Sequence, residues 1–317
     1  MKRIILILLA LSALCAGCKQ NKSTVVRAAA RNAGGKINVT VTIFPPYDFV
    51  RQIAKDKVNL TMLLPLGAES HSYEPSPRDI ITIQNSDIFI YVGGESDDWV
   101  DRILQSMNTD NMIILAMMNS VEVVEEEVVE GMEEESGEEE DAAYDEHVWT
   151  SPRNAALIVA AITEALCEAD PANAAFFRQN AAAYGEELAR LDAAFSALAA
   201  GAKRDVVVFA DRFPFRYFTD AYGLSYFAAF PGCSTETEPS AATVAFLINK
   251  IKAEKIPVVF HIELSNERMA DAIAGETGAK KLLLHSAHNL SKREFDSGLG
   301  YLEIMRQNAE NLREALY

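Results

Sequence analysis

Residues 170–200 read DPANAAFFRQNAAAYGEELARLDAAFSALAA. Asp170 is a good N-cap, Pro171 suits the first helical position, and the Ala, Leu, Glu and Arg that follow favour a helix. Apolar side chains recur at Phe176, Phe177, Ala181, Tyr184, Leu188, Leu191, Phe195 and Leu198, along one stripe of a 3.6-residue period. Thirty residues at 1.5 Å each make a rod of about 45 Å, longer than a small domain is wide. A rod with such a stripe packs along two bodies at once, and a connecting helix is expected over 169–202.

On both sides of that helix, strand-like and helix-like stretches alternate. Residues 37–44 (INVTVTIF) are β-branched and alternating, Pro45-Pro46 is expected to end them, and 47–54 reads as a helix. Strands follow at 58–64, 87–92 and 112–117, with helices at 79–84 and 99–107 between them. Beyond the long helix, strands are expected at 205–209, 225–230, 258–260 and 281–284. Helices are expected at 214–221, 240–252, 266–277 and 294–317. Such alternation gives mostly parallel sheets covered by helices. The expected class is therefore α/β: two Rossmann-like lobes, 37–168 and 203–317, joined by one long α-helix. Lobes of this kind place ligands in the crevice between them.

The 317 residues carry 29 basic and 46 acidic side chains, a net charge of −17, which disfavours nucleic acid and anionic membranes as partners. Nearly all of that charge sits in 121–146 (VEVVEEEVVEGMEEESGEEEDAAYDE), which holds 14 acidic residues and no basic one. Like charges repel, so this segment is expected to be a solvated, disordered loop, able to collect divalent cations weakly. At the N-terminus, Lys2 and Arg3 precede the apolar run 4–14, which is too short to span a bilayer and has the form of an export signal over 1–17. Ala16-Gly17 before Cys18 resembles a lipoprotein cleavage box, with Cys18 as the lipidated residue, although Cys15 stands where a leucine is usual. Residues 18–36 then form a flexible tether. In the body, Cys167 and Cys233 fit two separate small apolar residues, and no Cys-x-x-Cys suggests a thiolate zinc site.

The five histidines are informative by position. His71 lies in the loop after a strand, His147 follows the acidic run, and His261 and His285 end strands; His288 follows three residues on. Imidazole is the commonest ligand for transition metals and binds when neutral. Histidines at strand ends of both lobes point to one shared metal site at the crevice. Trp99, Phe213, Phe215, Tyr217 and Tyr226 could line it, but fit core positions better.

The loop Pro65-Leu66-Gly67-Ala68-Glu69-Ser70-His71-Ser72-Tyr73-Glu74-Pro75-Ser76-Pro77 resembles the P-x-G-x-x-x-H-x-Y-x-P-S-P loop of bacterial zinc/manganese ABC-transporter solute-binding proteins. Further likenesses are Phe44-Pro45-Pro46-Tyr47-Asp48, Gly93-Gly94-Glu95, Trp99-Val100-Asp101, His147-Val148-Trp149-Thr150-Ser151-Pro152, Tyr222-Gly223-Leu224, Glu238-Pro239-Ser240 and 270–281 (ADAIAGETGAKK). The resemblance implies two α/β lobes, a long interlobe helix and metal ligation by His71 and His147. The family's third histidine lies ten residues before Tyr-Gly-Leu, where this chain has Arg212, and an arginine does not bind a cation. Its fourth ligand is a carboxylate ending the last strand, where this chain has His285. An exchange is expected, with His285 supplying the imidazole and Asp211 or Glu263 the oxygen; the alternative is a degenerate site.

The resemblance further implies capture of zinc, or alternatively manganese, by a monomer lipid-anchored on the outer face of a bacterial membrane, and delivery to an ABC permease with its ATPase. Three imidazoles with one oxygen suit zinc; manganese wants more oxygens. Affinity is expected to fall below pH about 6.5, where histidines protonate. Two other readings remain: a surface lipoprotein for adhesion or assembly, and a zinc hydrolase, for which the chain lacks His-Glu-x-x-His.

Overall fold

The computed structural model describes residues 35–132, 143–234 and 239–317. The export signal, most of the tether with Cys18, and the middle of the acidic segment lie outside the described residues. In the first lobe, β1 (Ile37–Val41), α1 (Phe44–Ala54), β2 (Val58–Met62), α2 (Pro77–Gln84), β3 (Ile88–Tyr91), α3 (Asp98–Ser106) and β4 (Ile113–Ala116) follow one another. Their strands form a parallel sheet of order β2-β1-β3-β4. The α4 (Pro152–Ala169) and α5 (Ala174–Ala200) helices come next. The second lobe runs β5 (Val206–Phe213), α6 (Arg216–Tyr222), β6 (Ser225–Pro231), α7 (Ala241–Glu254), β7 (Val258–His261), α8 (Arg268–Thr277), β8 (Lys280–Leu283), α9 (Lys292–Asp296) and α10 (Tyr301–Leu316). Its sheet is also parallel, in order β6-β5-β7-β8.

The long helix α5 buries Phe177, Tyr184, Leu188, Leu191, Phe195 and Leu198 on one face. Toward its middle Tyr184 packs on Phe49 of α1; near its end Phe195 packs edge-on against Phe218 of α6, with ring centroids 4.8 Å apart. One stripe thus serves both lobes, and the core runs through from Val39 and Val41 to Phe209 and Phe260. Asp170 accepts a hydrogen bond from the Asn173 backbone, but through a short 3-10 turn that precedes α5.

Three elements differ from the sequence reading. Pro45 and Pro46 fall inside the first turn of α1, where a missing N–H costs nothing, rather than ending β1. The strand expected to stop at 209 continues to Phe213, with a register shift between Phe209 and Arg212, and Arg212 lines the cleft. The expected closing helix 294–317 is two helices, parted at Gly298, whose φ of +80° suits glycine.

The described ends of the acidic segment are packed. Val121, Val124, Val129 and Met132 lie against the core, and Glu125 bridges Tyr144 in antiparallel fashion. The interspersed valines give these arms an apolar face that the charge count conceals. Trp99, Phe213, Phe215, Tyr217 and Tyr226 are all buried.

Candidate metal centre

The His71 loop follows β2, and its ring is fixed through Nδ1, 2.7 Å from Ser96 Oγ. With Nδ1–H given to the serine, Nε2 carries the free lone pair. His147 sits just after the acidic arm, fully buried, with Nδ1 3.1 Å from Asp145 Oδ1. A carboxylate behind one ring nitrogen leaves the other nitrogen for a metal and makes it more basic. Tyr217 donates to the Asp145 carbonyl at 2.7 Å, so the second lobe holds this support in place. Gly232 presses against the same ring: a Cβ there would stand 3.2 Å from His147 Cε1 and 2.9 Å from the Phe213 carbonyl.

The third imidazole is His288. One ligand atom each from His71, His147 and His288 lie within 4.8 Å of one another. The three ring centroids are 5.2–5.4 Å apart pairwise, and His288 also tilts against Trp149 at 5.0 Å. The Ser70 hydroxyl sits 2.6 Å from His288 Nε2.

His285, which the sequence reading assigned as third ligand, points elsewhere. Its Nδ1 accepts the Ala287 N–H at 2.9 Å and lies 3.4 Å from Glu263 Oε2. Asn308 brackets its backbone, accepting from His285 N and donating to His285 O. β8 ends at Leu283, and Ala287 takes a left-handed φ of +62°, so the chain reverses and presents the next histidine to the cleft. Glu263, named as an oxygen donor, is spent as a clamp: it accepts from Ser286 N, Ser286 Oγ and His288 N at 2.5–3.0 Å. Asp211 accepts from Arg212 N at 2.9 Å and belongs to no ligand group among the described residues. Arg212 lines the cleft and pairs with Glu69 across it, Nη2 to Oε2, at 2.7 Å. The signal for His288 was the His-x-x-His pairing of 285 and 288: strand-end reasoning picks His285, whereas the structure brings His288 to the other two rings.

Electrostatics separate the three rings. Burial, then the neighbouring His147, pushes His71 down to about 3. His288 is held well below the usual histidine range by burial and by the other two rings. His147 goes the other way: burial opposes its charge, but the Asp145 carboxylate outweighs that and raises it. Glu263 is held at about 2, because His285 and the Ser286 donors overcome the burial that would raise it.

Two parallel α/β lobes, tied by one long helix and meeting at three convergent imidazoles, define a two-lobed binding protein with a transition-metal donor set in its cleft. Residues 39–315 match the family described as zinc-uptake complex component A, periplasmic, and the chain belongs to that family. The description names an uptake component outside the cytoplasm and no reaction. The chain is 34% identical over 309 residues to the high-affinity zinc uptake system protein ZnuA of Bacillus subtilis, covering 96% of this chain and 94% of that one. It is 31% identical to the zinc-binding lipoprotein AdcA of Streptococcus pneumoniae, over 99% of this chain and 61% of AdcA's length. The crystal structure of the Zn(II)-bound ZnuA-like domain of that AdcA superposes with a TM-score of 0.75 at 30% identity, covering 89% of this chain and 99% of the domain.

Proposed function

We propose that the protein captures a divalent transition metal, zinc before manganese, between His71, His147 and His288 and passes it to an ABC import permease driven by its ATPase. The observation that carries this reading is the convergence of one ring nitrogen from each of the three imidazoles, all within 4.8 Å of one another, around a space for one shared ion. The zinc-uptake family and the zinc-binding names of the relatives support the choice of metal. An all-nitrogen set of three favours zinc over manganese, which prefers oxygen. Lipid attachment at Cys18 fits both the sequence of the leader and a relative named as a lipoprotein. The chain then works as a tethered receptor on the extracytoplasmic face.

Competition titration with a chromophoric zinc chelator tests the ligand set. His71→Ala, His147→Ala and His288→Ala are each expected to weaken zinc well beyond tenfold, and Asp211→Asn by less than about threefold. Unchanged affinity in His288→Ala would overturn the assignment.

A further inference from the structure

His71 belongs to a second group of metal-ligating atoms. One atom each from His71, Glu146 and Cys233 also lie within 4.8 Å of one another. Glu146 is buried, and its Oε1 accepts the Ser96 N–H at 2.7 Å, beside the same serine whose hydroxyl fixes His71 Nδ1. Cys233 follows β6, is not in a disulfide, and its N–H is held at 2.7 Å by Glu126 Oε1. Glu126 lies in the described stretch 121–132 of the acidic segment, and Glu146 in the described stretch 143–146. Both flanks of the acidic segment therefore touch this group, the first through Glu126 and the second through Glu146.

From this geometry we propose a second, sulfur-bearing metal position, formed by His71, Glu146 and Cys233, which an ion occupies on its way between the acidic segment and the three imidazoles. The proposal rests on the trihistidine reading, because the two positions share one ring. A neutral imidazole offers a single lone pair, and His71 Nδ1 is already committed to Ser96. The positions are thus alternatives: an ion on one must release His71 before another fills the other. A thiolate in the set favours a soft or borderline cation and discriminates against magnesium and calcium, which the acidic segment would otherwise concentrate. Binding is accompanied by loss of the thiol proton to solvent, with no change of oxidation state.

Cobalt(II) is the probe, since thiolate ligation gives it a sulfur-to-metal charge-transfer band in the near ultraviolet. With one equivalent of cobalt, the intact chain is expected to show no such band. His288→Ala, which weakens the imidazole position, is expected to show it at one equivalent. The band should vanish when Cys233→Ser is added to His288→Ala and persist when Cys167→Ser is added instead. His288→Asn serves the same purpose should the alanine variant not fold. A folded His288 variant that binds no cobalt, or binds it without the band, overturns the proposal. So does a full band in the intact chain at one equivalent that Cys233→Ser removes, since Cys233 would then ligate the primary ion. The trihistidine reading fails separately, by equal zinc affinity in the intact chain and His288→Ala, whatever the cobalt spectrum shows.

Discussion

His147 is the one ring of the three convergent imidazoles whose surroundings favour the protonated form. Asp145 stands behind it and raises its pKa, whereas burial and mutual repulsion leave His71, at about 3, and His288, well below the usual value, neutral in mildly acidic solution. A metal ion must displace the His147 proton alone. Below the raised pKa of His147, log affinity should climb with pH at a slope of one, and above it the curve should flatten. Isothermal titration of zinc across pH 5–8 checks this; a slope of two or three would mean that the other rings also carry protons. The expectation from sequence of a fall below about 6.5, made for His71, His147 and His285, treats each histidine as ordinary. A second residue-scale prediction separates ligand from support. His285→Ala removes the partner of the largely buried Glu263 carboxylate and the acceptor of the Ala287 N–H, which should cost about 2–4 kcal/mol of stability. His288→Ala, on the half-buried cleft wall, should cost less than about 1 kcal/mol. Urea unfolding of the metal-free proteins gives both values; the reverse order would restore His285 as the ligand.

At the scale of elements, the site is made where two loops are sewn together. The 65–71 loop meets the 285–290 loop through Asn289 Nδ2, which donates to Pro65 O at 2.8 Å and Ala68 O at 2.9 Å, and through Gly67 N, which donates to Leu290 O at 2.8 Å. Asn289→Ala abandons two carbonyls of the His71 loop, a loss of about 2 kcal/mol by the usual worth of such bonds. It should weaken zinc several-fold by loosening His71 relative to His288. Thermal melting and zinc titration of the variant measure the two effects; undiminished affinity would show that the loops hold their places unaided. These connections also explain what the sequence could disclose. The strands and the long helix were legible because apolar spacing reports which faces are buried, as with the alternation that marks β1 within 37–44 and the stripe on α5. That His71 and His147 stand side by side at the cleft was legible because their motifs are local. His288 was not, because its orientation depends on a left-handed alanine at 287, a conformation that costs an L-residue about 1–2 kcal/mol and leaves no mark on composition. The valine face of the acidic arms was likewise hidden by the charges around it.

Across the whole molecule, the lobes are fixed to each other by more than α5. Asp48 of α1 accepts from Arg51 and from Tyr301 N at the start of α10, the Tyr301 hydroxyl donates to Trp149 O, and Trp149 Nε1 donates to Ser286 O at 2.8 Å. A chain of buried polar bonds thus runs from the first lobe, past the His147 loop, to the His288 loop. Beside it, at the mouth of the cleft, Arg212 and Glu69 form the interlobe ion pair. The guanidinium keeps Glu69 below its ordinary pKa despite burial that would raise it. As a pair the two charges nearly cancel at the cleft wall, so the bound cation gains little from either. Arg212→Gln would leave the Glu69 carboxylate uncompensated beside a dication. For a half-exposed group that attraction is worth about 1 kcal/mol, or about a fivefold gain in zinc affinity. Closure, meanwhile, rests on the buried bonds and should survive the change, so the zinc off-rate should fall along with the dissociation constant. Stopped-flow release into excess chelator reads the rate directly. Faster release from Arg212→Gln would show instead that the ion pair is the latch holding the cleft shut.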